Sequence, residues 1–167
     1  MAITITDKKY LKIVADIIDN EEFEKLKEIQ HHGITRYEHS IKVSYYAYKI
    51  SRFLKLDYNA TARGGLLHDF FLSSNDKTHK DSVISTFTHP KLARNNAHHL
   101  FVTNIKEDDI IVSHMFPFYI KFPKYAESWI VNLTDKVIGG FEFIQKFDYK
   151  LSYVSNIALL FIINHIK

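Results

Sequence analysis

At 167 residues, with 46% hydrophobic and 25% charged side chains, the chain has the length and composition of one globular domain that buries its own core. The chain contains ten histidines and no cysteine, and the absence of cysteine excludes a disulfide framework and a thiolate site and fits a cytoplasmic protein. A net charge of +3 without a basic stripe argues against nucleic-acid binding. The N-terminus lacks the apolar segment of a signal peptide, and the longest apolar run, Ile157 to Ile163, is too short to span a membrane.

The first third of the chain predicts three helices. Thr6 or Asp7 caps a first helix that runs toward Asn20, and a short second helix covers Glu21 to Gln30. The third helix, Tyr37 to Lys55, has apolar and aromatic residues three or four positions apart, which indicates one face toward the core. That face comprises His39, Val43, Tyr46, Ile50 and Phe53.

The fourth predicted helix, Tyr58 to Leu72, contains the most informative stretch of the chain. Adjacent Gly64 and Gly65 cost roughly 2 kcal/mol of helix propensity, which is tolerable where another backbone, here the third helix, must come close. His68 and Asp69 follow, and neither faces solvent. Because burying both groups costs several kcal/mol unless they are paired or metal-bound, the alternatives are a salt-bridged pair at a helix end and a metal site.

A polar stretch follows, and we expect it to be a loop. Ser73 to Phe87 is long enough for a flap over a pocket, with disorder as the alternative. Thr88 then caps a helix that has His89 in its first turn, Pro90 where a missing N–H is harmless, and Lys91 to Phe101 as its continuation. The residues predicted to face inward are Leu92, Ala93, Ala97 and Leu100.

The last third of the chain predicts three more helices and one aromatic loop. The helices are Glu107 to His114, Ala126 to Gln145 and Tyr149 to Ile166. The loop, Phe116 to Phe122, is suited to stacking a base or to packing. Asp135 lies on an apolar stripe and needs a partner there; its neighbours on the stripe are Val131, Ile138 and Glu142. With no competing strand pattern, the fold class is all-α.

Six inward polar side chains lie near an end, or along an apolar face, of the predicted helices. Each alone has an ordinary explanation, such as a hydrogen-bonded core histidine. Together, four imidazoles and two carboxylates suit one or two divalent ions, and the lack of cysteine argues against a structural zinc cage. The six are His39, His68, Asp69, His89, His114 and Asp135.

The order of these residues resembles the HD-domain metal-dependent phosphohydrolase superfamily, with a first His, an adjacent His-Asp and a distal Asp on a later helix. The matching segments are Arg36-Tyr37-Glu38-His39-Ser40, Leu66-Leu67-His68-Asp69 and Leu133-Thr134-Asp135-Lys136. The whole is most similar to small bacterial HD hydrolases. The resemblance implies an HD-domain helical bundle of about six to eight helices. It would form a single domain, residues 1–167, with an HD core at roughly 34–142 and terminal helices packed on that core.

The resemblance also implies how the ligands divide. One divalent ion would be held by His39, His68, Asp69 and Asp135, and Asp69 would bridge to a second ion. His89 and His114 match the additional ligands of dinuclear members and would hold that second ion. The ion would be Fe, Mn, Zn, Mg, Co or Ni.

One departure from the family pattern concerns the phosphate. Several HD nucleotidases carry an acidic residue or a Gly-Lys pair shortly after the His-Asp, whereas this chain reads Phe70-Phe71-Leu72-Ser73. We therefore expect a cation elsewhere, or the metals alone, to contact phosphate, with Arg36 as first candidate. The further candidates are Lys77, Lys91 and Lys136, and a solvent-exposed surface charge is the alternative for all four.

The activity implied is hydrolysis of a phosphoester in a small nucleotide-like molecule, with His68 and Asp69 as catalytic residues. Two alternatives stay open: cleavage of dinucleoside polyphosphates, and a catalytically silent, metal-bound module that senses a nucleotide or docks onto a partner. No membrane partner is expected.

Overall fold

The computed structural model describes residues 5–31, 34–72 and 79–165. Within these ranges the all-α class is confirmed, since two-residue strands β1 (Gln30–His31) and β2 (Ile34–Thr35) are the only extended pairing among them. A 3-10 turn covers Lys25–Glu28. The helices are α1 (Lys8–Ile18), α2 (Glu21–Glu24), α3 (Arg36–Phe53), α4 (Tyr58–Leu67), α5 (His79–Leu100), α6 (Ile105–Ser113) and α7 (Ala126–His165).

Side-chain caps fix where several helices begin. The Asp7 carboxylate accepts from the first backbone amides of α1, which confirms it as the N-cap. Thr35 and Glu38 form a reciprocal capping box at the start of α3, and Asn104 and Glu107 form another at the start of α6. These caps therefore fix where two helices begin: α3, which carries His39, and α6, which ends just before His114.

The centre of the fold is the close contact of α3 with α4. A Cβ added to Gly65 would lie 3.0 Å from the Cα of Ser44 on α3, as the paired glycines predict. Gly64 instead faces α6, where a Cβ would lie 2.8 Å from Cδ1 of Ile110. The Ser44 hydroxyl donates to the carbonyl of Ala62 at 2.6 Å, which ties the two backbones together. The glycines thus bring three site-bearing helices together.

The predicted buried face of α3 is partly wrong. Val43 is buried, but Tyr46, Ile50 and Phe53 are exposed. The residues that α3 turns inward are mostly small: Ser40, Ser44, Ala47 and Ser51. Ser44 meets α4 where the helices approach closely, and a small side chain fits there, whereas the buried aromatic of α3, Tyr48, packs against Tyr10 of α1. Packing as well as hydrophobicity therefore decides which face is buried.

The prediction for the start of α5 is wrong. This helix already begins at His79, so His89 lies in its middle, Thr88 is not an N-cap, and Pro90 is inside the helix. No glycine or proline interrupts residues 79–89, and a single proline within a helix removes only one backbone hydrogen bond besides its steric cost. Residues 73–78 of the predicted loop, with its proposed flap, lie outside the described ranges.

Other boundaries and faces also differ from prediction. The second helix stops at Glu24, where the 3-10 turn Lys25–Glu28 takes over before β1, and the fourth helix stops at Leu67. Ala93 and Ala97 of α5 are buried as predicted, whereas Leu92 and Leu100 are exposed. The last two predicted helices are one continuous helix, α7, since no proline or glycine lies between Phe141 and His165.

No helix in the described part of the chain combines the length and the apolarity needed to cross a membrane.

Replacing Gly65 by alanine tests the α3–α4 contact. We expect Gly65→Ala to destabilise the protein by about 1 kcal/mol, because overpacking against the Ser44 backbone outweighs the gain in helix propensity. Gly140→Ala on α7 is the control, since no described atom beyond the helix's own nearby backbone lies within 4 Å of the added Cβ, and it should stabilise by about 0.5–1 kcal/mol. Urea denaturation measures both; a Gly65→Ala protein at least as stable as wild type would contradict the contact.

Candidate metal centre

The structure brings the six predicted polar residues together from five helices. His39 lies in α3, His68 and Asp69 at the end of α4, His89 in α5, His114 directly after α6, and Asp135 in α7. All are buried except Asp135, which is partly exposed. Their donor atoms form two groups, each with all its atoms within 4.8 Å of one another. One group is His39, His68 and Asp135; the other is Asp69, His89 and His114.

The first group is centred on the Asp135 carboxylate. Its Oδ1 lies 3.0 Å from Nε2 of His39 and 3.7 Å from Nε2 of His68. Asp135 reaches the two imidazoles because α7 packs against both α3 and α4. The result is two nitrogens and one oxygen directed at a common point.

The second group is centred on Asp69. Its Oδ1 lies 3.4 Å from Nε2 of His89 and 3.5 Å from Nε2 of His114. The two imidazole nitrogens are 3.0 Å apart. Three ligand-type atoms from three parts of the chain therefore converge here too.

Asp69 connects the two groups through its two carboxylate oxygens. While Oδ1 faces His89 and His114, Oδ2 lies 3.9 Å from Nε2 of His68. The sequence makes this connection because His68 and Asp69 are consecutive, so one helix end supplies a ligand to each group. A carboxylate with an oxygen toward each of two ligand sets is arranged to bridge two ions.

Two of the imidazoles are oriented by carbonyl groups at helix ends. The Nδ1–H of His68 donates to the carbonyl of Gly65 at 2.7 Å, and that of His114 donates to the carbonyl of Ile111 at 2.8 Å. Carbonyls in the last turn of a helix lack intrahelical partners and are free to accept. With the proton on Nδ1, the neutral ring presents the Nε2 lone pair to the site, which is the form that binds a metal.

A buried ring nitrogen without a described hydrogen-bond partner shows that these residues fit a divalent cation. Nε2 of His68 is fully buried and, among the described residues, has no hydrogen-bond partner. Such an atom is costly unless something satisfies it. It faces Asp135 and Asp69 and shares the site with the paired nitrogens of His89 and His114, and nitrogen and carboxylate oxygen are the donors that transition metals take.

The electrostatics keep both aspartates ionised. Burial opposes the charge of Asp69, but the imidazoles of His68, His114 and His89 hold its pKa well below the usual range. Burial likewise opposes the charge of Asp135, and His39 and His68 lower its pKa. Burial would lower the pKa of His39, but its hydrogen bonds to Asp135 and Glu142 outweigh this and raise it to about 10.

Two residues of α7 beside the site were not assigned a role from sequence. Glu142 accepts from Nδ1 of His39 at 2.8 Å. The Asn132 side chain donates to the carbonyls of His114 at 2.6 Å and Phe116 at 2.9 Å, which anchors the turn after α6. Their spacing from Asp135, seven residues after and three before, is the signal that could have found them, since all three share one side of α7.

The four predicted phosphate-binding cations are placed differently. Arg36 is buried, donates to the carbonyl of Phe71 at 2.6 Å and lies 3.8 Å from the centre of its ring. Lys136 donates to the carbonyl of His114 at 3.0 Å. Lys91 is exposed and, two residues beyond His89, is on another face of α5. Lys77 lies outside the described residues. Contact with phosphate stays a prediction for all four.

The aromatic loop after His114 is partly committed to packing. Phe116 and Phe122 pack edge to face on each other and on Trp129, with ring centres 5.2–5.7 Å apart. Phe118 is exposed and lines a cavity of about 460 Å³ with Tyr119 and other loop residues. Base stacking by this loop stays a prediction.

Comparison with known proteins supports the geometric picture. An uncharacterised protein of Methanocaldococcus jannaschii is 29% identical over 106 residues, which cover 58% of this chain and 23% of that protein. The chain thus matches about a quarter of the length of this relative. No solved structure gives a significant match. Residues 36–139, which include all six ligand candidates, match the HD domain family. The chain therefore belongs to the HD domain family, whose members are typically metal-dependent phosphohydrolases.

Proposed function

We propose that this protein hydrolyses a phosphoester in a small, nucleotide-like substrate and uses two divalent ions to do so. The observation that carries the proposal is the Asp69 carboxylate, which has one oxygen toward His89 and His114 and the other toward His68. Two ligand sets that share one carboxylate are the arrangement of dinuclear hydrolytic sites. Membership of the HD domain family supports the same chemistry.

The chain's own residues would divide the work. His39, His68 and Asp135 would hold one ion, and His89 and His114 the other, with Asp69 between them. Such ions supply Lewis-acid chemistry, since they activate water as a nucleophile at neutral pH and neutralise charge on phosphoryl oxygens. The carbonyls of Gly65 and Ile111 keep the His68 and His114 rings oriented throughout.

The protein groups near the site favour positioning over proton transfer. Asp69 and Asp135 are held ionised, so they suit metal ligation better than general acid catalysis. Hydrolysis of a phosphoester with bound metals needs positioned charges above all. The phosphohydrolase chemistry of the family supports a phosphoester, and the nucleotide-like substrate is part of the proposal. A silent, metal-bound sensor is the outcome if turnover is absent.

The first prediction concerns metal content. The purified protein should contain about two divalent ions per chain after incubation with Mn²⁺ or Co²⁺, because the Asp69 carboxylate has an oxygen toward each of the two ligand sets. Chelation should lower Tm, since an ion bound only to the folded state stabilises it by mass action. Elemental analysis and differential scanning calorimetry measure these quantities; a protein that takes up no ion would end the proposal.

The second prediction concerns turnover. With Mn²⁺, Fe²⁺ or Co²⁺ present, the protein should release phosphate or a nucleotide from at least one member of a panel of mono-, tri-, cyclic and dinucleoside phosphates. Asp69→Ala should abolish that turnover, on the order of 10³-fold or more, because both ligand sets lose their common oxygen donor. Far-UV circular dichroism is the control for folding. An Asp69→Ala enzyme as active as wild type would remove Asp69 from the reaction.

The third prediction separates the two ligand sets. His89→Ala and His114→Ala should each lower bound metal from about two ions to about one and reduce turnover, because only the second set loses a ligand. His39→Ala should disturb the first set and, through Asp69, weaken the second. His99→Ala is a matched control, since His99 is an exposed histidine on the same helix as His89. If His89→Ala and His114→Ala retain the metal content and the activity of wild type, these histidines are packing or solvent residues, and the protein is a mononuclear member of its family.

A further inference from the structure

Glu142 is a buried carboxylate that contacts Nδ1 of His39, the ring nitrogen that faces away from Asp135. Its Oε2 accepts from Nδ1 of His39 at 2.8 Å, and its Oε1 accepts from Nζ of Lys42 at 2.9 Å. Both His39 and Glu142 are almost fully buried, with exposed side-chain fractions of 1% and 4%. A carboxylate removed from water in this way needs partners, and these two bonds supply them.

The direction of the bond decides what Glu142 does to the ring. A carboxylate only accepts, so Nδ1 of His39 carries a proton toward Glu142, and in a neutral ring the lone pair on Nε2 would face an ion held together with Asp135. Nε2 is the atom that lies 3.0 Å from Oδ1 of Asp135. Glu142 therefore fixes both the tautomer and the orientation that aim His39 at the first ligand set.

His39 differs in this respect from the other imidazoles whose Nδ1 partner is described. The partners of His68 and His114 are neutral backbone carbonyls, of Gly65 and Ile111. The partner of His39 is an ionised side chain, which makes a stronger hydrogen bond and a more basic imidazole. His39 lies near the start of α3, where the backbone carbonyls accept intrahelical hydrogen bonds, and a side chain from α7 is the Nδ1 partner.

We propose that Glu142, with Lys42 behind it, is a positioning residue that sets the metal affinity of the His39–His68–Asp135 half of the site. This rests on the metal site of the proposed function. Glu142 would not touch the ion or the substrate; it acts through Nδ1 of His39. Because α7 carries Asp135 as well, one helix supplies both a ligand to the ion and the group that orients a second ligand.

The test compares Glu142→Gln and Glu142→Ala with wild type by isothermal titration with Zn²⁺ and with Mn²⁺. Loss of such a partner costs about 10–100-fold in metal affinity, so Glu142→Ala should weaken one of the two binding events by that factor. Glu142→Gln retains an acceptor without the charge, and it should lie between wild type and Glu142→Ala. The other binding event should change less.

Glu127→Gln is the matched control. Glu127 is an equally buried carboxylate on α7 that also accepts from a lysine, Lys106, at 2.7 Å, but it bonds to the Asp57 amide rather than to a ligand. Its replacement should alter stability as much as Glu142→Gln does and leave metal affinity unchanged. A loss of metal affinity in this control equal to that of Glu142→Gln would show a general effect of α7 and overturn the positioning role.

A spectroscopic readout keeps the test independent of turnover. In the Zn²⁺-loaded wild type, nitrogen-15 NMR should show a His39 Nδ1–H that exchanges slowly with water, and Glu142→Ala should lose that protection. Wild-type protein that binds no metal would overturn the proposed function and this role with it. Wild-type protein that binds metal, with both Glu142 variants binding equally well, would overturn the role of Glu142 alone. If Glu142→Ala does not fold, Glu142→Gln decides between the last two outcomes.

Discussion

The arrangement of the site depends on the burial of the Asp69 carboxylate among imidazoles from three segments of the chain. A buried, ionised carboxylate costs several kcal/mol unless positive or polar groups compensate it. Here His68 precedes it in sequence, and His89 and His114 approach from α5 and α6. The helices must pack so that these groups meet, and the two glycines of α4 permit the close approach that this requires.

The imidazoles of the site are oriented in two different ways. His68 and His114 each directly follow the last residue of a helix, where a carbonyl three residues earlier accepts from Nδ1. The same local solution occurs twice, at the ends of α4 and α6. His39 is inside α3 and depends on Glu142 from α7 for the equivalent contact. Local sequence therefore orients two ligands, and a long-range contact orients the third.

Helix α7 contacts both ligand sets of the site. It contributes Asp135 to the first ligand set and Glu142 to the ring of His39. Asn132, one turn before Asp135, and Lys136, directly after it, both donate to the carbonyl of His114 and hold the second ligand set in register with the first. A shift of α7 along its axis would change both sets at once, so the two halves of the site are mechanically coupled.

The sequence by itself determined the all-α class, the family resemblance and the six inward polar residues, because helical periodicity and residue chemistry are local properties. It also anticipated the close approach at Gly65, since paired glycines within a helix need a packing reason. It misjudged the buried face of α3, because the tight α3–α4 contact admits serine and alanine where a hydrophobic scale favours tyrosine and isoleucine.

Only the tertiary structure decided which ligands share a group, since that depends on distances between side chains of different helices. It placed His89 in the middle of α5, where proline was tolerated, rather than in a first turn. It also brought Glu142 to Nδ1 of His39 and the Arg36 guanidinium to the carbonyl of Phe71. Neither contact follows from spacing along the chain, because each joins residues more than thirty positions apart whose meeting depends on how the helices pack.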